Sequence, residues 1–138
     1  LKLSHLYTLL HKLEETGYVI ATPESQDNRP PRKVFQLTPT GEAAFLDWVQ
    51  SPVAHGRSLR LEFLVKLYFA RREGTDVASR LVAAQRARVQ EWLADSEGRT
   101  DQTPNDRAYS RLVAQYRQGQ IEAMLTWLDH CEVTFHEG

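Results

Sequence analysis

Helical periodicity over most of the chain and one short β-rich interval predict a mainly α fold with a single β-hairpin. Three observations carry this. Residues 4–41 run through an amphipathic segment stopping at Gly17, a β-branched run, a polar loop with prolines and terminal cations, and a second apolar run. From residue 59 onward, apolar side chains recur at helical spacing. Apolar residues make up 41% and charged residues 25% of the 138, with both signs mixed, which is the composition of a folded globular protein. Helix, strand, loop, strand is about the smallest outline of a winged helix. Here it is truncated at its N-terminus and followed by a C-terminal helical region.

The first helix rests on Leu3, Leu6, Leu10 and Leu13, a stripe expected to face a core. Ser4, His5, Thr8, Lys12 and Glu15 fall on the opposite face, with Tyr7 and His11 on a flank. Gly17 is a natural C-terminal stop. Short polar groups near the N-terminal end and a lysine farther along suit a helix that enters a nucleic-acid groove. Small hydrogen-bonding groups serve base edges, and cations serve phosphates. A plain solvated face has the same composition, so the helix alone does not decide. Leu1 already lies inside the periodic pattern. A winged helix needs further helices ahead of its reading helix, and those are expected upstream of this chain.

Tyr18 to Ala21 and Val34 to Leu37 have strand composition. Thr22 to Lys33 is too long for a tight turn and is expected as a loop stiffened by Pro23, Pro30 and Pro31. Arg29, Arg32 and Lys33 cluster at its end, where exposed cations would reach phosphate or the minor groove. Glu24 and Asp27 weaken that local field.

Thr38 is expected to cap the next helix, with Pro39 in its first turn and Ala44, Phe45, Trp48 and Val49 on its buried side. Pro52 and Gly56 mark a linker, so the expected domains are residues 1–51 and 59–138. Residues 59–72 carry two apolar stripes, Leu61, Leu64, Val65 and Tyr68, and Phe63, Leu67 and Ala70, more than one small domain covers alone. Glu62 and Lys66 read as a surface pair. A helix over about 77–96, a polar loop and a last helix over about 106–131 complete the chain. The last stripe holds for about seven turns and suits a helix packed along a second subunit. An intramolecular hairpin with the preceding helix would use the same stripe. The residues expected at a homodimer interface are Phe63, Leu67, Leu112, Tyr116, Ala123, Met124, Trp127 and Leu128.

Several classes are disfavoured. A net charge of −1 leaves any nucleic-acid role to a local patch. The single cysteine, Cys131, excludes an internal disulfide and a multi-cysteine zinc site, and fits a reducing compartment. No apolar run is long enough to span a membrane, and no signal peptide is visible. His5 and His11 lie off one helical face. His130, Cys131 and His136 read as a frayed terminus, so no metal, cofactor or enzymatic site is expected.

One family resemblance draws these readings together. Ser4-x-x-Tyr7-x-x-Leu10-x-x-Leu13-Glu14-x-x-Gly17, then Arg29-Pro30-Pro31-Arg32-Lys33-x-Phe35-x-Leu37-Thr38-x-x-Gly41, resembles the PadR family of bacterial winged helix-turn-helix regulators. Trp48, residues 64–69 and Trp127-Leu128 are similar to the family's later helices. Phe35 departs from a tyrosine common in the family. The resemblance implies a cytoplasmic, homodimeric transcription regulator, usually a repressor, that binds double-stranded operator DNA. It assigns DNA contact to Ser4, His5, Tyr7, Thr8 and Lys12 on the helix and to Arg29, Arg32 and Lys33 on the wing. It also implies a small aromatic or hydrophobic effector, for which Trp48, Tyr116 and Trp127 are the candidate lining, with an aromatic core as the plainer use of the same residues. The competing reading is a helical dimerisation protein whose winged domain binds proteins and not DNA.

Overall fold

The computed structural model describes residues 2–26, 29–98 and 107–136. It divides into two compact units, Leu1–Trp48 and Val49–Gly138.

The first unit opens with α1 (Leu3–Glu15) and a ribbon of β1 (Val19–Gln26) and β2 (Arg29–Leu37), and leads into α2 (Pro39–Gln50). Gly17 ends α1 in the left-handed region, at φ +76°. Its N–H donates to Glu14 C=O at 3.0 Å, and that of Tyr18 to Leu13 C=O at 2.9 Å. This pair of bonds closes the helix and needs a residue without Cβ strain at Gly17. No residue of α1 is buried. Of the leucine stripe expected to face a core, Leu10 is half-buried, while Leu3, Leu6 and Leu13 are exposed, Leu3 by 68%.

The wing is longer than its composition suggests. The segment expected as a loop is strand, running in antiparallel register from Val19 opposite Leu37 to Glu24 opposite Arg32, with an irregularity between Glu24 and Gln26. Pro23 sits in the ladder opposite Lys33. In a two-stranded ribbon both strands are edges, so a proline facing the open side forfeits no ladder bond. Residues 27–28, including Asp27, lie outside the described residues.

The second unit is helical. A short turn, α3 (Gly56–Ser58), runs through a π-helical stretch (Leu59–Phe63) into α4 (Leu64–Glu73); α5 (Thr75–Gly98) and α6 (Arg107–His136) follow. Gly74, at φ +148°, separates α4 from α5. Phe63, Leu81, Val82, Val89 and Leu128 are fully buried, and Phe63 meets Trp127 edge-on at 6.0 Å. Arg86 Nε donates to Asp129 Oδ1 at 2.6 Å and ties α5 to α6. The hydrogen bond and charge of Asp129 raise the Arg86 pKa further. The last helix continues through His130 and Cys131 to His136, so the frayed end expected there is helix. No helix among the described residues is long and apolar enough to cross a membrane.

Lys66 is a correction of a different kind. The expected pair with Glu62 is present, with Nζ 3.6 Å from Oε1, but Lys66 is only 3% exposed and also donates to Ser51 C=O at 2.8 Å.

Candidate nucleic-acid interface

The base of the wing is closed by Thr38. Its N–H donates to Tyr18 C=O at 3.0 Å, its hydroxyl donates to Gly17 C=O at 2.6 Å, and the same hydroxyl accepts the Gly41 N–H at 3.0 Å. The last bond is an N-cap for α2. One side chain therefore joins the end of α1 to the start of α2 across the mouth of the hairpin. A Cβ on Gly41 would meet Tyr18 O at 2.0 Å, so this position requires glycine for backbone approach. The Thr38-x-x-Gly41 spacing has a mechanical reason: it holds α1 and the ribbon as one piece.

Ser4, His5, Tyr7, Thr8 and Lys12 are all exposed on α1. Ser4, His5, Thr8 and Lys12 share one face by helical spacing. The Thr8 hydroxyl donates back to Ser4 C=O at 3.0 Å, so it offers only acceptor capacity outward. His11 lies 3.7 Å from both Glu14 and Glu15 carboxylates, which leaves it beside acidic rather than basic neighbours.

The wing cations do not act as one cluster. Arg32 Nε donates to Glu24 Oε2 at 2.5 Å across the strands, with the two side chains 61% and 51% exposed. Lys33, one residue on, falls on the other face of the ribbon by strand alternation and makes no ion pair with any described residue. The Arg29 side chain lies outside the described residues. Lys33 is thus an open cation, and Arg32 is a cation already shared with a carboxylate.

Of the effector residues, Tyr116 and Trp127 are not brought together. Tyr116 and Trp127 sit on the same helix about 16 Å apart by helical rise. Tyr116 is 66% exposed and accepts a hydrogen bond from Gln120 Nε2 at 2.7 Å. Trp127 instead lines a groove of about 340 Å³ with Leu64, Tyr68, Arg71, Cys131 and Phe135. The Arg71 guanidinium lies 5.1 Å above the Phe135 ring. Burial pushes the Cys131 thiol above its ordinary value. Trp48 stands 6.2 Å from Phe45 in the first unit.

Phe63 and Leu128 are removed from the expected dimer surface, because both are fully buried within their own unit. Leu112 and Tyr116 remain exposed, as do Leu61, Leu64, Val65 and Tyr68 of the other stripe. Sequence reasoning missed the Glu24–Arg32 pairing, and only the alternation of the two strands would have revealed it.

A polar-faced helix locked to a two-stranded wing, followed by a separate helical unit, is the plan of a winged-helix regulator. The comparisons agree. The model of the transcriptional regulator PadR-like family matches residues 1–47, and that of the virulence activator alpha C-terminal family matches residues 59–135. Residues 1–47 belong to the PadR-like family of transcriptional regulators, and residues 59–135, more than half of the chain, to the virulence activator alpha C-terminal family. The negative transcriptional regulator PadR of Bacillus subtilis is 28% identical over 97 residues, which are 70% of this chain and 53% of that protein. The chain thus spans about half the length of this relative. A crystal structure of Bacillus subtilis PadR with operator DNA is 22% identical, covering 98% of this chain and 80% of that one at a TM-score of 0.46. Another, with p-coumaric acid, is 21% identical, covering 99% and 79% at a TM-score of 0.46.

Proposed function

We propose that this chain binds double-stranded DNA as a homodimer and represses transcription from the bound site. The observation that carries this is the exposed Ser4–His5–Thr8–Lys12 face of α1, held to the ribbon by Thr38. Ser4, His5 and the Thr8 acceptor would read base edges in the major groove. Lys12 and Lys33 would take phosphates, with Arg32 joining once phosphate competes with Glu24 for it. Tyr7, on the flank, would offer its hydroxyl to the backbone. Arg29 is carried as a wing contact from the sequence pattern alone.

Dimerisation would use the exposed aromatic edge of α6, Leu112 and Tyr116, with Ala123, Met124, Trp127 and Leu67 nearer the groove. Two copies would present two α1 helices to half-sites about 34 Å apart. The groove beside Trp127 would admit an aromatic effector, with Tyr116 outside it.

Fluorescence anisotropy with duplexes selected from a random pool tests the DNA role. Lys12→Ala and Lys33→Ala should each weaken binding and reduce the salt slope by about 1. Affinity indifferent to both rules the interface out. The second reading, a winged unit that binds protein, is favoured by the exposed leucine face of α1. It predicts that Leu6→Glu abolishes partner capture while no duplex is ever selected.

A further inference from the structure

The last helix, α6, carries a face that its own chain leaves bare. Tyr109, Leu112 and Tyr116 are 64%, 64% and 66% exposed. Leu112, Tyr116, Gly119 and Ala123 follow at spacings of four, three and four, the seam by which one helix meets another, and all four are exposed. Arg86 against Asp129 sets the register of α5 beside α6. Equal rise along both helices brings Gly98, the end of α5, level with about residue 117. The opening turns of α6, which starts at Arg107, therefore run on without α5 beside them.

Gly119 stands in the interior of this 30-residue helix, where glycine is a poor helix former. Nothing within one chain asks for it. Its φ is not positive, and an added Cβ would meet nothing within 4 Å. A missing side chain there serves a surface that approaches from outside.

The charges of α6 change sign at the same point. Arg107, Arg111 and Arg117 precede Gly119 with no Asp or Glu among them, and Glu122, Asp129 and Glu132 follow with no Lys or Arg. This order opposes the helix's own dipole, which favours anions at the N-terminus and cations at the C-terminus. The three arginines are exposed and make no ion pair with any described residue. Asp129 is taken by Arg86. Glu122 is exposed and accepts the Gln118 amide at 2.9 Å, which leaves its charge unneutralised. Two such helices side by side repel when parallel and attract when antiparallel.

We propose that α6 lies antiparallel against α6 of a second copy, the two crossing at Gly119. Leu112 and Tyr116 then sit opposite the partner's Thr126 and the partner's Ala123, and Arg117 faces the partner's Glu122. The contact is closed by a two-fold axis and uses the same patch twice. This rests on the homodimer reading above and gives that dimer a direction and a centre.

The test is sedimentation of the full chain over a range of concentrations. Arg117→Glu and Glu122→Arg should each weaken self-association by about tenfold or more, since each sets two like-charged pairs face to face. The double variant should return to within about threefold of wild type, because it only exchanges the two signs. Failure to recover overturns the antiparallel direction. Gly119→Leu should weaken the dimer by about tenfold or more while leaving the thermal transition of the second unit unchanged or raised, since the site is open within one chain. A dimer indifferent to Gly119→Leu overturns the crossing point. A wild type that stays monomeric throughout refutes the homodimer reading and this pairing with it. A wild-type dimer untouched by every variant leaves that reading standing and overturns the pairing alone.

Discussion

The Thr38 hydroxyl donates to the Gly17 carbonyl at 2.6 Å, twenty-one positions back along the chain. That bond spans the open end of the ribbon and joins two helix termini whose polar groups would otherwise need water. It makes the helix proposed to read bases and the hairpin proposed to touch phosphate a single mechanical object.

Thr38→Val should therefore destabilise the first unit by about 1–2 kcal/mol, the usual cost of a lost N-cap. Gly41→Ala should cost more, since the added carbon collides with the Tyr18 backbone. Chemical denaturation of the three proteins gives the order. Gly41→Ala proving the milder substitution would contradict the geometry.

Glu24 holds Arg32 in an ion pair for which a DNA phosphate would have to compete. Glu24→Gln should raise DNA affinity, by about two- to tenfold at ~0.1 M salt, and steepen the salt dependence. Arg32→Ala should lose less affinity than Lys33→Ala, because Arg32 arrives already partnered. Anisotropy titrations at several salt concentrations read both effects.

Cys131 has a thiol raised by burial. Alkylation should follow a pH profile displaced upward from that of a free thiol and return to normal in denaturant. The linkage has a definite sign. The folded thiol holds its proton at pH values where the unfolded one has lost it, so this group's contribution to stability falls as pH rises past the unfolded value. Cys131→Ser should flatten that decline.

Leu112→Glu with Tyr116→Glu should leave the thermal transition of the second unit nearly unchanged, since both positions are exposed within one chain. The same double variant should sediment as a monomer if the α6 edge joins two copies. Phe63→Ala should do the reverse, costing about 3–5 kcal/mol of stability through a core cavity.

The local signals were readable. Gly17 ends its helix and Thr38 caps the next, because both are decided by a few adjacent atoms. Pro23 misled: the cost of a proline in a strand depends on which side of the ladder it faces, and a two-stranded ribbon leaves one side open. Phe63 and Lys66 misled for a tertiary reason. Periodicity gives two faces of residues 59–72 but not which one meets Trp127, nor that Ser51 offers a carbonyl to an ammonium. On α1, the shared exposed face of Ser4, His5, Thr8 and Lys12 was legible from spacing, whereas the separation of Arg32 and Lys33 onto opposite faces of the ribbon needed the strand register.

The π-helical stretch Leu59–Phe63 sets an angular phase for everything after it. A wider turn accommodates an additional residue, and excising any one there would rotate α4 by about 100° against the preceding turn. The ammonium of Lys66 would swing away from Ser51, and Phe63 would leave the ring of Trp127. Changes of length in this short interval are thus far more damaging than changes of side chain, and homologous chains should vary in spelling there but not in letter count.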